Sequence, residues 1–336
     1  MHLPEPRGEV SARLLDALTS SATALLSIPD TEFADRFGDE DLHLSLYLCY
    51  ELHYRGLPGV DEHWEWQPSL LAARARLEHC FEQGLREALG DPGGGPDPSQ
   101  MDLALRAVAD ADDGPSLSEY VERQATLEQV LEFVVHRSAY QLKEADPHSW
   151  ALPRLSGAPK AAMVEIQADE YGGGRTERIH AELFAGTMRA LGLDPAYGAY
   201  LDAIPGLTLA TVNLMSLFGL HRRFRGAIVG HLALFEMTSP IPNARYAAGV
   251  RRLGFDGDAT AFFDEHVEAD AVHENIAAID LAGGLARQEP AVAGDIIWGA
   301  RALSLLEARW ARHLLGCWDA GESSLRVPAD RPRVAS

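Results

Sequence analysis

Apolar side chains recur at offsets of three, four and seven along most of the chain, the spacing of one face of an α-helix. The pattern runs through ARLLDALTSSATALL, DEDLHLSLYLCYELHYRG and PSLLAARARLEHCFEQGLREAL near the start. It returns in SEYVERQATLEQVLEFVVHRSAYQL, RIHAELFAGTMRALGL, TLATVNLMSLFGL, FRGAIVGHLALFEM, TAFFDEHVEADAVHENIAAIDLA and AGDIIWGARALSLLEARWARHLLGCW. Helix-start residues precede two of these segments, Asp112 to Ser118 and Asp256 to Thr260. No alternating run of β-branched residues is long enough for a sheet. The expected fold is all-α.

Two stretches interrupt the periodicity. LGDPGGGPDPSQ, residues 89–100, has no apolar side chain after Leu89, and reads either as a surface loop inside one helical domain or as a boundary. PHSWALPRLSGAPKAAMV, residues 147–164, reads as an irregular, proline-rich connection. No internal repeat is evident. The expected organisation is an N-terminal helical region (1–125), a helical domain (126–321) and a polar C-terminal tail (322–336).

A net charge of −21 argues against non-specific nucleic-acid binding and against anionic membrane surfaces. Bound cations would offset part of it. Three cysteines far apart, with no CxxC pair, point to a reducing compartment and exclude a Cys-rich zinc site. There is no signal-peptide organisation at the N-terminus and no apolar run long enough to span a bilayer. A cytoplasmic protein is expected.

The chemistry concentrates where apolar stripes carry polar groups. In HVEADAVH, residues 266–273, His266, Asp270 and His273 fall four and then three residues apart. At about 100° per residue they share one helix face, with Phe262 and Phe263 before them and Ala277 after. Burying two imidazoles and a carboxylate is costly unless they are paired or bind a metal; a hydrogen-bonded core cluster or a solvated face is the alternative. Glu236 continues an apolar stripe of FRGAIVGHLALFEM, and His180 stands on the buried side of RIHAELFAGTMRAL. Glu170 precedes Tyr171 and three glycines in EIQADEYGGGR, which suit a backbone that unwinds or is approached closely, or else an ordinary loop. Imidazoles and carboxylates from several facing helices, without cysteine, suit a diiron site. Zinc fits a smaller set, and magnesium disfavours three imidazoles.

With LKEADPHSW upstream, these segments resemble the haem-oxygenase-like diiron oxidases. EIQADEYGGG and HAELF resemble the iron-containing redox enzyme branch of that superfamily, and the likeness covers roughly residues 125–320. The resemblance implies a haem-oxygenase-like helical bundle with an additional N-terminal helical region. It implies two Fe(II) ions per chain held by Glu144, Glu170, His180, Glu236, His266, Asp270 and His273. One iron would sit at Glu170, His180 and His273, the other near Glu144, His266 and Asp270, with Glu236 shared or bridging. Glu144 lies about 100° off the apolar stripe of its helix, so the helix must distort before Asp146–Pro147 if it is to bind. Glu177 competes with Glu170 as the partner of His180, through its ExxH spacing; the family spacing favours Glu170.

The activity implied is that of a non-haem diiron oxidase or oxygenase with O2 as co-substrate, acting on a small amino acid or amine in specialised metabolism. N-oxygenation, desaturation and C–C or C–H oxidation are the reaction types. The expected partners are that substrate, an external electron donor and a second copy of the chain in a homodimer; nucleic acid and membrane are not expected. The rivals are a fatty-acid oxidative decarboxylase, a ferritin-like iron-binding protein and a helical interaction protein. Arg137, Lys143, Arg222, Arg223 and Arg245 are candidates to hold a substrate carboxylate, with surface pairing the default for each. His221 and His231 read as structural before substrate-binding. Glu51, His53, Glu62 and His63 read as packing or subunit-contact residues.

Overall fold

The computed structural model describes residues 2–22, 25–29 and 31–327, apart from the side chains of residues 270–272. The N-terminal region holds Glu9–Leu18 (α1), Glu40–Glu51 (α2), Pro68–Leu89 (α3) and Met101–Asp110 (α4). Leu117–Arg123 (α5), Leu127–Gln141 (α6), Asp146–Ser149 (α7), Gly157–Glu170 (α8) and His180–Ala190 (α9) follow. The chain continues through Gly206–Leu220 (α10), Arg225–Thr238 (α11), Pro240–Arg252 (α12), Ala261–Asn275 (α13), Gly284–Gln288 (α14) and Ala293–Asp319 (α15). Among the described residues the only extended pairing is a single antiparallel bridge between Tyr171 and Ile179. No helix among them is long and apolar enough to cross a membrane.

Helices α11 and α15 form the spine. A Cβ at Gly230 would overlap the carbonyl of Ile296, and one at Gly299 the carbonyl of Ala227, so the two backbones touch only because both positions lack a side chain. Helix α10 packs between α2 and α15, and α12 covers α5 and α13. In the N-terminal region α1 and α3 flank α2, while α4 lies against α11 and α15. The glycine-rich loop after α3 runs against the start of α15, where Gly95 abuts Ala293.

Several local outcomes differ from the periodicity. A capping box between Thr126 and Gln129 starts α6 afresh, so the segment from Ser118 to Leu142 is two helices. Helix α8 begins inside the proline-rich connection, and α12 begins at Pro240. Pro159, Pro240 and Pro242 all fall in a first turn, where a missing N–H costs nothing. Helix α13 does not run on unchanged, for Ile276–Gly283 is π-helical. Its buried residues are mostly alanine and glycine, which lets α8 and α11 close on it. At the other end, residues 322–327 dock on the bundle: Ser324 is buried, with its hydroxyl on Glu132 and His136.

Candidate metal centre

Glu144 reaches the interior through a break in the chain. Helix α6 stops at Gln141, and Ala145 takes a left-handed conformation (φ 73°) unusual for a residue with a Cβ. Helix α7 then starts at Asp146–Pro147. The turn between them carries the distortion that the off-stripe position of Glu144 requires, and Glu144 is buried.

Glu170 and His180 are brought together by a reversal of the chain. Glu170 ends α8, Tyr171 pairs with Ile179, and His180 opens α9. Between them Gly172, Gly173 and Gly174 all have positive φ, at 66°, 61° and 79°. At Gly172 a Cβ would also stand 2.6 Å from the carbonyl carbon of Arg178. The residues flanking the bridge therefore face each other, with His180 Nδ1 2.9 Å from Glu170 Oε2. Glu177, the competing partner, is exposed on the outside of this loop.

Helices α11 and α13 supply the rest. His266 Nδ1 lies 2.8 Å from the carbonyl of Phe262. Since a carbonyl only accepts, Nδ1 carries the proton and Nε2 is left as a donor atom for a cation. That Nε2 is 3.5 Å from Glu144 Oε1, and the His266 ring lies 4.5 Å from that of His180. His273 has Nδ1 3.5 Å from Glu236 Oε2 and Nε2 3.4 Å from Asp169 Oδ2.

Two groups of buried ligand atoms result, each with all members within 4.8 Å of one another: Glu144, Glu170, His180 and His266, and Glu170, Glu236 and His273. The grouping differs from the expected one. His180 stands with His266 rather than with His273, and Glu170, not Glu236, is common to both groups. Chain reversal at the glycines, which spacing alone does not reveal, decides this. The side chain of Asp270 lies outside the described residues.

The residues fit a metal. Among the described residues, Glu144 Oε2 and His180 Nε2 are buried without a hydrogen-bond partner, and Glu170 Oε2 has only His180 Nδ1 beside it. Such atoms are costly to bury unless something binds them. Imidazole nitrogens with carboxylate oxygens suit a first-row transition ion. Burial pushes the Tyr140 hydroxyl well above its ordinary value, and the charges of Glu144, Glu170 and Glu236 add to the shift. Burial disfavours a proton on His180, but Glu170 outweighs it and the net direction is upward. A void of about 10 Å³ lies among Glu144, Glu170, Glu236 and His266, with His148 and Tyr140 on its wall.

The other sequence candidates fall outside these groups. His231 Nδ1 is 3.1 Å from His148 Nε2, and burial drives the His148 value down to about 3, so this pair is neutral. His221 pairs with Glu78 at 3.0 Å. Lys143 is buried against Glu51 at 3.1 Å. His53 pairs with Glu65 and His63 with Asp61. Arg223 holds Glu82, Arg245 holds Ser116, and Arg222 is exposed. Arg137 lines a cavity of about 230 Å³ that opens on His266. Tyr140, Gln141, His148 and Asp169 went unremarked in the sequence, although Tyr140 lies four residues before Glu144 and Asp169 immediately before Glu170.

An all-α bundle with a buried His/Glu site is the architecture of haem-oxygenase-like proteins. Residues 131–308 match the family described as iron-containing redox enzyme, and the chain belongs to that family. No curated protein matches it. Family and site together make the protein a metal-dependent oxidoreductase.

Proposed function

We propose that the two ligand groups hold two Fe(II) ions and that the protein is a non-haem diiron, O2-dependent oxidase or oxygenase of a small amino acid or amine. The observation that carries this is Glu170, whose carboxylate belongs to both groups and so suits a bridge between two cations. Ferrous ions so held supply the reducing equivalents with which O2 is activated. The protein's part is binding and exclusion. His180 and His266, with Glu144, would hold one ion, and His273, with Glu236, the other. Phe262 fixes the His266 tautomer through its carbonyl. Neutral His148 and His231 add no positive charge against the site.

The cavity beside His266 supports an organic substrate over iron storage. Its wall includes the Arg137–Glu307 ion pair as well as aromatic rings. That favours a small polar-headed molecule over a fatty acid, which needs a long apolar channel. Anaerobic loading with Fe(II), followed by mixing with O2 in stopped flow, tests the reading. The expected result is two irons per chain and a transient visible absorbance that one substrate accelerates. Retention of no iron under any condition would return the His/Glu cluster to a structural role.

A further inference from the structure

We infer that the cavity beside His266 is built for the zwitterionic head of an α-amino acid, with its carboxylate on Arg137 and its ammonium on Glu307 and Gln141, so that an apolar side chain faces the metal ligands. The inference rests on the oxidase reading above and narrows it to one substrate class and one orientation.

Arg137 and Glu307 both line the cavity. Arg137 Nη1 and Nη2 donate to the two oxygens of Glu307 at 3.0 and 2.7 Å, and the guanidinium lies 4.0 Å over the Trp310 ring. Packed this way it is held as a rigid plate. The fork spends two of its five N–H donors on Glu307 and another on Tyr246, which leaves N–H donors over, and each Glu307 oxygen keeps a lone pair. Both side chains remain partly accessible, at 18% and 24%. A bare amine entering here would meet the charge of Arg137, and a bare acid that of Glu307. A zwitterion set antiparallel to the pair gives each charge an opposite neighbour. Gln141 adds a second signal. It lies one turn beyond Arg137 on the same helix, is 8% exposed, and lines the same cavity. Its Oε1 has no hydrogen-bond partner among the described residues. A buried carbonyl left so is a standing cost that an ammonium N–H relieves.

Orientation follows from the helix. Arg137 stands one turn, about 6 Å at the α-helical rise, before the end of its helix at Gln141, and Glu144 lies in the turn beyond. Arg137 also packs back toward Phe133, with 5.9 Å from its guanidinium carbon to that ring, and so leans away from the ligands. On the ligand side the cavity wall carries Phe262, whose ring lies 4.2 Å from that of His266, with Phe184 5.0 Å from Phe262 and Phe235 also bordering the void among the ligands. An amino acid anchored at Arg137 presents the far end of its side chain to His266, not its α-carbon, and the wall selects an apolar one.

Calorimetric titration of the anaerobic, Fe(II)-loaded chain with the common L-amino acids, 3-methylbutylamine and 4-methylpentanoate tests this. At least one apolar amino acid of the leucine, methionine or phenylalanine class should bind. The amine and the acid should bind at least about tenfold more weakly than leucine. Gln141→Leu, which keeps the shape and leaves the ion pair intact, should cost a similar factor, with iron content and circular dichroism unchanged; Arg137→Gln should cost more. Equal binding of the amine or the acid, no effect of Gln141→Leu, or no amino-acid binding by a chain that holds iron would each overturn the inference and leave the oxidase reading standing. Should the chain hold no iron, that reading fails first, and the same titration on the metal-free chain decides the head-group site.

Discussion

His180 Nδ1 stands 2.9 Å from Glu170 Oε2 because Tyr171 and Ile179 pair across a chain reversal that only glycine can make. The two glycine positions differ in what they need. Gly172 has positive φ and no room for a Cβ, whereas Gly173 has positive φ but nothing within 4 Å. Gly173→Ala should therefore cost only the left-handed backbone penalty, about 1–2 kcal/mol. Gly172→Ala should cost more and should also move Ile179, lowering iron occupancy at His180. Thermal melts and iron content on the two variants check this; equal behaviour would mean that the close approach at Arg178 does not matter.

The shared carboxylate makes an asymmetric prediction. Glu170→Ala should abolish binding of both ions, since Glu170 belongs to both groups. Glu144→Ala should weaken one ion and leave the group at Glu236 and His273 loaded. Glu177→Ala should change neither, because Glu177 is exposed. Metal analysis after anaerobic dialysis reads all three. Loss of one ion only in Glu170→Ala would show that this carboxylate does not bridge.

What the sequence could show divides along the same line. Polar residues on apolar stripes were visible, since His180, Glu236, His266 and His273 each interrupt a helical period. The need for a distortion at Glu144 was visible as a residue on the wrong face, but the left-handed Ala145 that meets it was not. Which histidine joins which carboxylate depended on how far the loop after Glu170 folds back, and three glycines permit many paths. The π-helical stretch is invisible to periodicity because its small residues fit either winding. Proline misled at α8, where it marks a first turn and not a gap.

Lys143 and Glu51 tie the N-terminal region to the centre. The pair is buried at 3.1 Å, with side chains 1% and 0% exposed, and Tyr197 donates to the same Glu51 oxygen at 2.7 Å. The rings of Tyr47 and Tyr54 lie 4.7 and 4.5 Å from the ammonium. Lys143→Met leaves Glu51 buried with its cationic partner gone, at a cost of about 3–5 kcal/mol. Because Lys143 adjoins Glu144, iron affinity should fall as well. The double variant Lys143→Met/Glu51→Leu should recover much of the stability in denaturant titrations. No recovery would assign the loss to the lysine's packing and not to the stranded charge.

His43 predicts acid sensitivity away from the metal. Its Nε2 donates to the carbonyl of Arg36 at 3.0 Å, so Nδ1 is the acceptor facing the Asn213 amide at 3.3 Å. Burial lowers its value from 6.5 to about 4. The unfolded chain thus takes up a proton that the fold refuses, so this contribution is complete above pH 6.5 and is lost as pH falls toward 4. The loss is about 3 kcal/mol by linkage. His136 and His231, also shifted down by burial, act in the same direction. Stability of the metal-free chain measured across this range should fall on acidification, with a slope about one proton smaller in His43→Gln. An unchanged slope would mean that His43 is protonated in the fold.

Asp169 gives the centre an outer handle. His273 lies between two carboxylates, Glu236 on the Nδ1 side and Asp169 at 3.4 Å on the Nε2 side. If Nδ1 binds the ion shared by Glu170 and Glu236, Nε2 keeps its proton and points at Asp169, an arrangement that orients the ring and raises its basicity. Asp169→Asn keeps the shape and removes the charge. It should weaken the ion at His273 by about 10–100-fold while leaving the ion at His180 and His266 in place. The Asp169 side chain is 39% exposed, so added salt should shrink the difference between variant and parent. Stepwise anaerobic titration with Fe(II), at low and high salt, separates the two ions. Equal weakening of both, or a difference that salt does not touch, would place Asp169 outside the support of His273.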